Sequence, residues 1–199
     1  MTAKRRFPHR RPGRGRSFST GAGARAACLF LLLSLLPACT PTAPEWNGEV
    51  RYTHVSMGID ETNLYEYAGA VDYVFVGQIL EADYAIQDEG GTSTYRVQVR
   101  QNLKGALVEE IQCRKHGGIL PDGTLSLYAS DRVQDSGLPE VGGTYILMAY
   151  GQPDGSLLLS ELYSRVTYTQ ASLSAYQDYV EHQVPYQRER FPSSYDAAA

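Results

Sequence analysis

The stretch TYRVQVRQNLKG, residues 94–105, alternates apolar and polar side chains over most of its length. Its apolar positions are Tyr95, Val97 and Val99, and the polar positions between them are Arg96, Gln98 and Arg100. Successive side chains of a strand point to opposite faces, so this pattern predicts an antiparallel strand with one buried face and one solvated face. We expect Lys104 and Gly105 to end the strand.

The preceding segment, DYVFVGQILEADYAIQ at residues 72–87, is dominated by β-branched and aromatic residues and predicts a second strand. Apolar side chains occupy both faces of its first half, which indicates burial on both sides. Gly77 inside the strand predicts a β-bulge or a sharp bend, which would let the sheet curl into a small barrel. The polar stretch DEGGTS, residues 88–93, predicts the turn between the two strands.

Four stretches downstream also have the composition of strands. They are VEEIQCRKHGG (108–118), the shorter TLSLYAS (124–130), GTYILMAYG (143–151) and GSLLLSELYSRVTY (155–168). Between the last two lies Gln152-Pro153-Asp154-Gly155, a tetrapeptide typical of β-turns. The sequence therefore predicts a hairpin at this point.

Two helices are expected to flank the strands, at residues 60–72 and 169–184. The expected N-caps are Asp60 or Thr62 for the first helix and Thr169 or Ser172 for the second. The whole order predicts a mainly β fold: a small antiparallel OB-like (Greek-key) barrel of five to six strands, with a short N-terminal helix and a C-terminal helix. We expect residues 61–184 to form this domain and the polar tail 185–199 to fray.

Residues 1–38 have the pattern of a signal peptide, with a basic n-region followed by the apolar run Ala26–Leu36. That run is shorter than the roughly 20 residues that a membrane-spanning helix needs. Leu36-Pro37-Ala38-Cys39 resembles a lipobox, the processing site of bacterial lipoproteins, and implies a lipid on Cys39 with a tether over residues 39–60. Two alternatives stay open: an ordinary secretory signal with an incidental cysteine, or a twin-arginine signal at Arg5-Arg6.

Removal of residues 1–38 would make the chain strongly acidic. The chain carries 18 Lys and Arg against 22 Asp and Glu, and eight of the basic residues but none of the acidic ones lie in residues 1–38. The remainder has ten basic and 22 acidic residues, a net charge of −12, which argues against nucleic acid as a partner. If Cys39 is acylated, only Cys113 remains, so no internal disulfide is expected.

Three motifs resemble the netrin-like/TIMP-like OB-barrel family, whose members include bacterial surface lipoproteins. They are Val76-Gly77, Leu103-Lys104-Gly105 and Glu140-Val141-Gly142-Gly143-Thr144-Tyr145, within a similarity that covers residues 65–163. The resemblance implies an OB barrel. The best-known members inhibit metalloproteases through an N-terminal cysteine that chelates the catalytic zinc and is held against the barrel by a disulfide.

This chain departs from that inhibitory pattern in two ways. Cys39 would be acylated and followed by a spacer of about twenty residues, and Cys113 alone cannot supply the disulfides. Inhibition through Cys39 is therefore not expected. A secreted or surface protease inhibitor stays open as an alternative function, with an inhibitory edge built from the loops near Asp122 or Asp154.

The sequence offers no catalytic site. Cys113 and His116 lie three residues apart in a predicted strand, so their side chains point to opposite faces, and Cys113 is expected in the core. A thiol-dependent enzyme stays a third alternative. His54, His116 and His182 lack the spacing of zinc ligands, and the Asp-Gly pairs are typical of turns. We therefore expect no enzymatic activity, cofactor or metal.

Tyrosine is the remaining feature, and all 15 tyrosines lie after residue 38. Those expected in the core are Tyr73, Tyr95 and Tyr145, and those expected on the surface are Tyr65, Tyr84, Tyr128, Tyr150 and Tyr163. OB barrels bind ligands on one strand face, although exposed strands favour tyrosine in any case. We predict a non-catalytic binding module, lipid-anchored on the extracytoplasmic face of a bacterial membrane, for an unknown protein or envelope ligand. No ligand-binding residue is assigned.

Overall fold

The computed structural model describes residues 44–86, 91–135 and 137–198 of the 199-residue chain. The predicted signal peptide, the predicted lipidation site Cys39 and the first residues of the predicted tether lie outside the described residues. Their predictions are therefore carried by the sequence alone.

Strands predominate over helices in the described residues. The strands are β1 (Val50–His54), β2 (Tyr73–Asp83), β3 (Thr92–Lys104), β4 (Glu110–His116), β5 (Gly118–Ile119), β6 (Leu125–Ala129), β7 (Thr144–Gly151), β8 (Leu157–Leu159) and β9 (Val166–Thr167). The helices are α1 (Leu64–Ala70) and α2 (Gln170–Glu181). Neither of these helices has the length and apolar character needed to span a membrane.

Five strands close into a barrel in the order β2-β3-β4-β8-β7, with β7 paired back onto β2. The neighbouring pairs are antiparallel except for β4 and β8, which run parallel. Numbered in chain order, the strands form the circuit 1-2-3-5-4-1 of an OB-like barrel. The predicted mainly β barrel with a C-terminal helix is confirmed. The parallel pair differs from the antiparallel prediction: no hairpin connects β4 to β8, so no turn imposes an antiparallel orientation on them.

Apolar side chains pack on both sides of the β2–β7 pair. Inside the barrel, Phe75, Val97 and Leu147 are fully buried. On the outer face, Val74 and Met148 are fully buried in a second cluster that includes side chains of α1 and α2. Because the helices cover one face of β2 and the barrel encloses the other, its first half is apolar on both faces, as predicted.

Gly77 lies at an irregularity of the β2–β3 pairing, where the register shifts between Val76 and Gly77. A Cβ atom on Gly77 would lie 2.6 Å from Val97 Cγ1 and 2.9 Å from Leu147 Cδ1. Both distances are too short for packed carbon atoms, and protein interiors leave little room to move. The predicted bulge is confirmed, and its glycine lets the barrel core close over β2.

We expect Gly77→Ala to lower the free energy of unfolding by about 1–3 kcal/mol, because the added methyl group overpacks the barrel core. Urea unfolding followed by far-ultraviolet circular dichroism measures the change. The cost should shrink in a Val97→Ala background, which removes the nearest carbon atom. An unchanged unfolding midpoint in the single variant would contradict the overpacking argument.

A second sheet contains three strands in the order β1-β6-β5. β1 runs parallel to β6, from Val50 opposite Leu125 to His54 opposite Ala129. All five β1 residues are exposed. Part of the predicted tether is therefore a paired strand, and the folded region begins before the predicted boundary at residue 61.

The helix caps differ in part from the prediction. Asn63 caps α1, and its side chain accepts a hydrogen bond from the helix backbone at 3.1 Å. The prediction of Asp60 or Thr62 was wrong, since Asp60 instead accepts from the backbone N–H of Thr62. Thr169 caps α2, and the side chain of Ser172 completes a reciprocal capping box, which uses both predicted residues.

The predicted strand at residues 155–168 is divided into β8 and β9. Between them, Ser160 Oγ accepts a hydrogen bond from the backbone N–H of Tyr163 at 3.2 Å. Serine hydroxyls that bond nearby backbone groups in this way favour turns over strands. Leu162, inside this turn, packs into the cluster beneath the helices.

Residues 185–198 pack along the barrel, so the prediction of a frayed tail was wrong. The backbone N–H of Ala197 donates to the carbonyl of Ala106 at 2.7 Å. The hydroxyl of Tyr73 donates to the Asp196 carboxylate at 2.7 Å. A polar segment can be ordered by hydrogen bonds and ion pairs even when it has few apolar side chains.

Cationic side chains gather at the C-terminal end of α1, where the last carbonyls lack partners within the helix. Lys104 Nζ donates to the carbonyl of Ala68 at 2.6 Å. Arg188 donates to the carbonyl of Ala70 at 2.7 Å, and Arg190 donates to the carbonyl of Gly69 at 2.6 Å. Positive charge is stabilising at this end of a helix. The Leu-Lys-Gly motif thus has a structural role, in which Lys104 joins β3 to α1.

Candidate functional site

A groove of about 560 Å³ lies between the barrel and the C-terminal segment. It is bounded by the end of β2, the start of β3, the centre of β4, the β7–β8 turn and Ser194-Tyr195. Its lining includes the buried core residues Tyr95, Cys113 and Leu157. Because β4 and β8 share only two residue pairs, the groove reaches the barrel core beside this short contact.

Arg96 stands on the rim of the groove between two carboxylates. Its guanidinium donates to Glu110 at 2.9 Å and also pairs with Glu81. The hydrogen bond from Arg96 is the main reason that the pKa of Glu81 lies below its ordinary value. All three side chains are partly exposed, so these ion pairs contribute little to stability and can exchange partners at low cost.

Arg114 lies nearer the β7–β8 turn. Its Nη2 donates to Ser156 Oγ at 2.8 Å and lies 3.3 Å from Asp154 Oδ2. Its Nε is buried and has no hydrogen-bond partner among the described residues. A buried donor without an acceptor is costly, so the side chain would gain free energy by a shift that brings this atom to a ligand oxygen.

The floor of the groove is aromatic. Tyr95 accepts a hydrogen bond from Ser93 Oγ at 3.0 Å, and its ring meets the ring of Tyr84 edge-on at 6.1 Å. Burial raises the pKa of Tyr95 far above its ordinary value, so the phenol stays neutral. Tyr195, in the C-terminal segment, is half-buried and packs against the barrel core. The floor therefore offers ring surfaces to a ligand.

Cys113 and His116 do not form a dyad. Cys113 is 3% exposed and belongs to the barrel core, as predicted. His116 is only half-buried, with its Nε2 3.9 Å from the Glu161 carboxylate. Burial raises the pKa of Cys113 to about 12. Both the position and the protonation of the thiol disfavour a nucleophilic role.

We expect Cys113 to resist iodoacetamide in the native protein at neutral pH, because its thiol is buried and protonated. In denaturant it should react like an ordinary thiol, as measured by mass spectrometry on a form that lacks Cys39. Since burial raises the pKa of Cys113 from 9.0 to about 12, the unfolded chain loses the proton first as pH rises. Cys113 therefore lowers stability above about pH 9. Native labelling at the denatured rate would contradict this burial.

The two loops considered for an inhibitory edge occupy different places. Asp154 lies on the rim of the groove. Asp122 lies in another turn, where it accepts from the backbone N–H of Thr124 at 2.9 Å and is 3.9 Å from Arg51 Nη2. Both Asp-Gly pairs form turns, as predicted. Only the Asp154 loop is part of the candidate site.

The tyrosine predictions were partly confirmed. The three expected in the core are buried: Tyr73, Tyr95 and Tyr145. Of those expected on the surface, Tyr65 is exposed, and the others are half-buried: Tyr84, Tyr128, Tyr150 and Tyr163. Some of the half-buried tyrosines are held by hydrogen bonds that the sequence does not predict. The Tyr163 hydroxyl, for example, donates to the carbonyl of Glu61 at 2.7 Å.

No cluster of His, Cys, Asp or Glu in the described part of the chain could hold a metal.

No protein-family model and no curated protein matches this chain. The candidate site therefore rests on its geometry. Sequence analysis did not single out Arg114, which strand alternation puts on the face opposite Cys113. Its proximity to Asp154 depends on the parallel β4–β8 contact, which local patterns do not predict.

Proposed function

We propose that this chain is a lipid-anchored protein of the bacterial cell envelope whose barrel binds a polar ligand, without catalysis, in the groove beside β4. The observation that carries the proposal is the buried Nε of Arg114, which lacks a hydrogen-bond partner among the described residues. Leaving such a donor unpaired costs about 1–3 kcal/mol. A ligand oxygen that meets this atom after a shift of the Arg114 side chain would recover part of that cost.

The groove also limits what the ligand must carry. It should present a carbonyl or anionic oxygen to Arg114 and an apolar or ring-shaped group to the side chains of Tyr95 and Tyr195. The raised pKa values of Cys113 and Tyr95 move these groups away from proton transfer at neutral pH. These features favour binding over catalysis.

Arg114→Ala tests the groove, with Arg51→Ala as a matched control, since each arginine lies near an aspartate in an Asp-Gly turn. Soluble forms beginning after Cys39 would be screened on arrays of peptides and glycans. We expect Arg114→Ala to weaken any specific binding at least tenfold and Arg51→Ala to leave it unchanged. Equal binding by both variants would place the ligand elsewhere.

The anchor is supported by the Leu36–Cys39 motif and by the acidity of the remaining chain, which disfavours direct binding to anionic lipid. The intact mass of the protein from the membrane fraction tests it. We expect a chain that begins at Cys39 and carries a diacylglyceryl group, and a Cys39→Ser variant that lacks it. An unmodified wild-type chain in the medium would contradict the anchor and leave the groove proposal standing.

A protease inhibitor is the second candidate, favoured by one observation. The Asp154-Gly155 turn is presented beside the groove, with the Asp154 side chain 61% exposed. Such a turn is the kind of loop that could enter a protease cleft. Incubation of the soluble domain with a panel of proteases tests this candidate, and activity that is unchanged at micromolar concentrations would reject it.

A further inference from the structure

Lys115 and Asp135 form an ion pair in which both side chains are 0% exposed. Lys115 follows Ile111 and Cys113 in the buried register of β4. Asp135 belongs to the segment after β6, 20 residues further along the chain. The contact therefore joins the barrel wall to a loop that is otherwise outside it.

Backbone groups complete the surroundings of the pair. Lys115 Nζ donates to the carbonyl oxygens of His116 and Glu161, each at 3.2 Å. The backbone N–H of Gly137 donates to Asp135 Oδ1 at 3.1 Å. The amine and the carboxyl group are thus held against each other, and Oδ1 carries a fixed hydrogen bond.

A dry site of this kind disfavours two separate charges. Removing an ion from water costs several kcal/mol even after the protein relaxes. Burial is the main reason that the pKa of Asp135 lies above its ordinary value, and the negative charge of Glu161 acts in the same direction. Transfer of one proton from Lys115 to Asp135 leaves a neutral amine beside a carboxylic acid. These are the reactive forms for making an amide.

We propose that Lys115 and Asp135 become joined by an isopeptide bond in the folded protein. Nζ attacks Cγ of Asp135, a C–N bond forms, and the bond from Cγ to Oδ2 breaks. Oδ2 leaves as water with the proton of the acid and one proton from Nζ. Oδ1 remains as the amide oxygen, already bonded to the Gly137 N–H. The net change turns an ammonium and a carboxylate into an amide and one water, so no oxidant, reductant or cofactor is needed.

The isopeptide bond would give the domain a covalent cross-link, which its single described cysteine cannot provide. Cys113 is free and lies in the barrel core, so the described domain has no disulfide. An amide would remove two buried charges and constrain the unfolded chain by closing the loop between β4 and the segment after β6. It would also be insensitive to thiol reagents.

The test is mass spectrometry of the purified full-length mature protein after denaturation and reduction. We expect an intact mass lower by one water than the sequence from Cys39 onward, together with the lipid on Cys39, requires. Trypsin should fail to cleave after Lys115 and should yield a branched peptide that joins residues 115–132 to residues 133–165. Lys115→Arg, which can keep the ion pair and cannot form the amide, should show the full mass and a linear digest.

The mass measurement must distinguish the isopeptide bond from other reactions in which the chain loses one water. Asp-Gly sequences can form succinimides, and this chain has them at Asp122-Gly123 and Asp154-Gly155. A water loss assigned to either position by fragmentation would overturn the proposal. A full intact mass with cleavage after Lys115 would also overturn it, and the pair would then be purely ionic. The wild-type measurement decides this even if the variant does not fold.

Discussion

Replacing Lys115 with methionine should lower the free energy of unfolding by about 3–5 kcal/mol. The substitution leaves the Asp135 carboxylate fully buried without its cation, with the Gly137 N–H as its remaining hydrogen-bond donor in the described structure. The carbonyls of His116 and Glu161 also lose the donor that Lys115 supplies. The expectation holds whether the pair is ionic or amide-linked, because the variant removes either connection.

Urea unfolding at neutral pH measures this loss, with Arg100→Met as the control, since Arg100 lies on the exposed face of β3. The control should change stability by no more than about 0.5 kcal/mol. The double variant Lys115→Met/Asp135→Leu should recover much of the loss, because no unpaired charge remains. Burial raises the pKa of Asp135, so the destabilisation of the single variant should shrink as the pH falls and the carboxyl takes up a proton. A loss below about 1 kcal/mol at neutral pH would contradict the argument.

The barrel could be predicted because its signals are local. The alternation in residues 94–105 fixes which side chains of β3 face the core, and Gly77 marks the bulge that bends β2. Both follow from the period of a strand and the size of a glycine. Closure of the barrel agrees with these patterns but depends on the β2–β7 pairing, which joins distant strands.

Lys115 shows why the long-range contacts between side chains could not be predicted from the sequence. Alternation places it in line with Ile111 and Cys113, a buried register that lysine rarely occupies without a partner. The sequence does not reveal that partner, because Asp135 lies in a loop with no regular pattern. The same reasoning applies to Arg114, whose position beside Asp154 depends on long-range pairing.

The C-terminal segment is the clearest failure of local reasoning, and Asp72 is the residue that explains it. Asp72 Oδ1 pairs with Arg190 at 2.6 Å, and its Oδ2 pairs with Arg188 and accepts from the Gly151 N–H at 3.0 Å. The Asp72 side chain is only 9% exposed. Asp72, just before β2, therefore forms ion pairs with two arginines more than a hundred residues later in the chain.

Asp72→Ala should release residues 185–198 from the barrel and lower the free energy of unfolding by about 3 kcal/mol, because both arginines and the Gly151 N–H lose a charged partner. Hydrogen exchange of peptides from this segment should become much faster, while peptides from β3 stay protected at the start of exchange. Asp131→Ala is the matched control, since Asp131 is 97% exposed and should change neither quantity. Arg188→Ala and Arg190→Ala should each cost less than Asp72→Ala, because Asp72 keeps the other arginine. If exchange in residues 185–198 is as slow in Asp72→Ala as in the wild type, the segment is held by its backbone bonds to the barrel, and Asp72 is not its anchor.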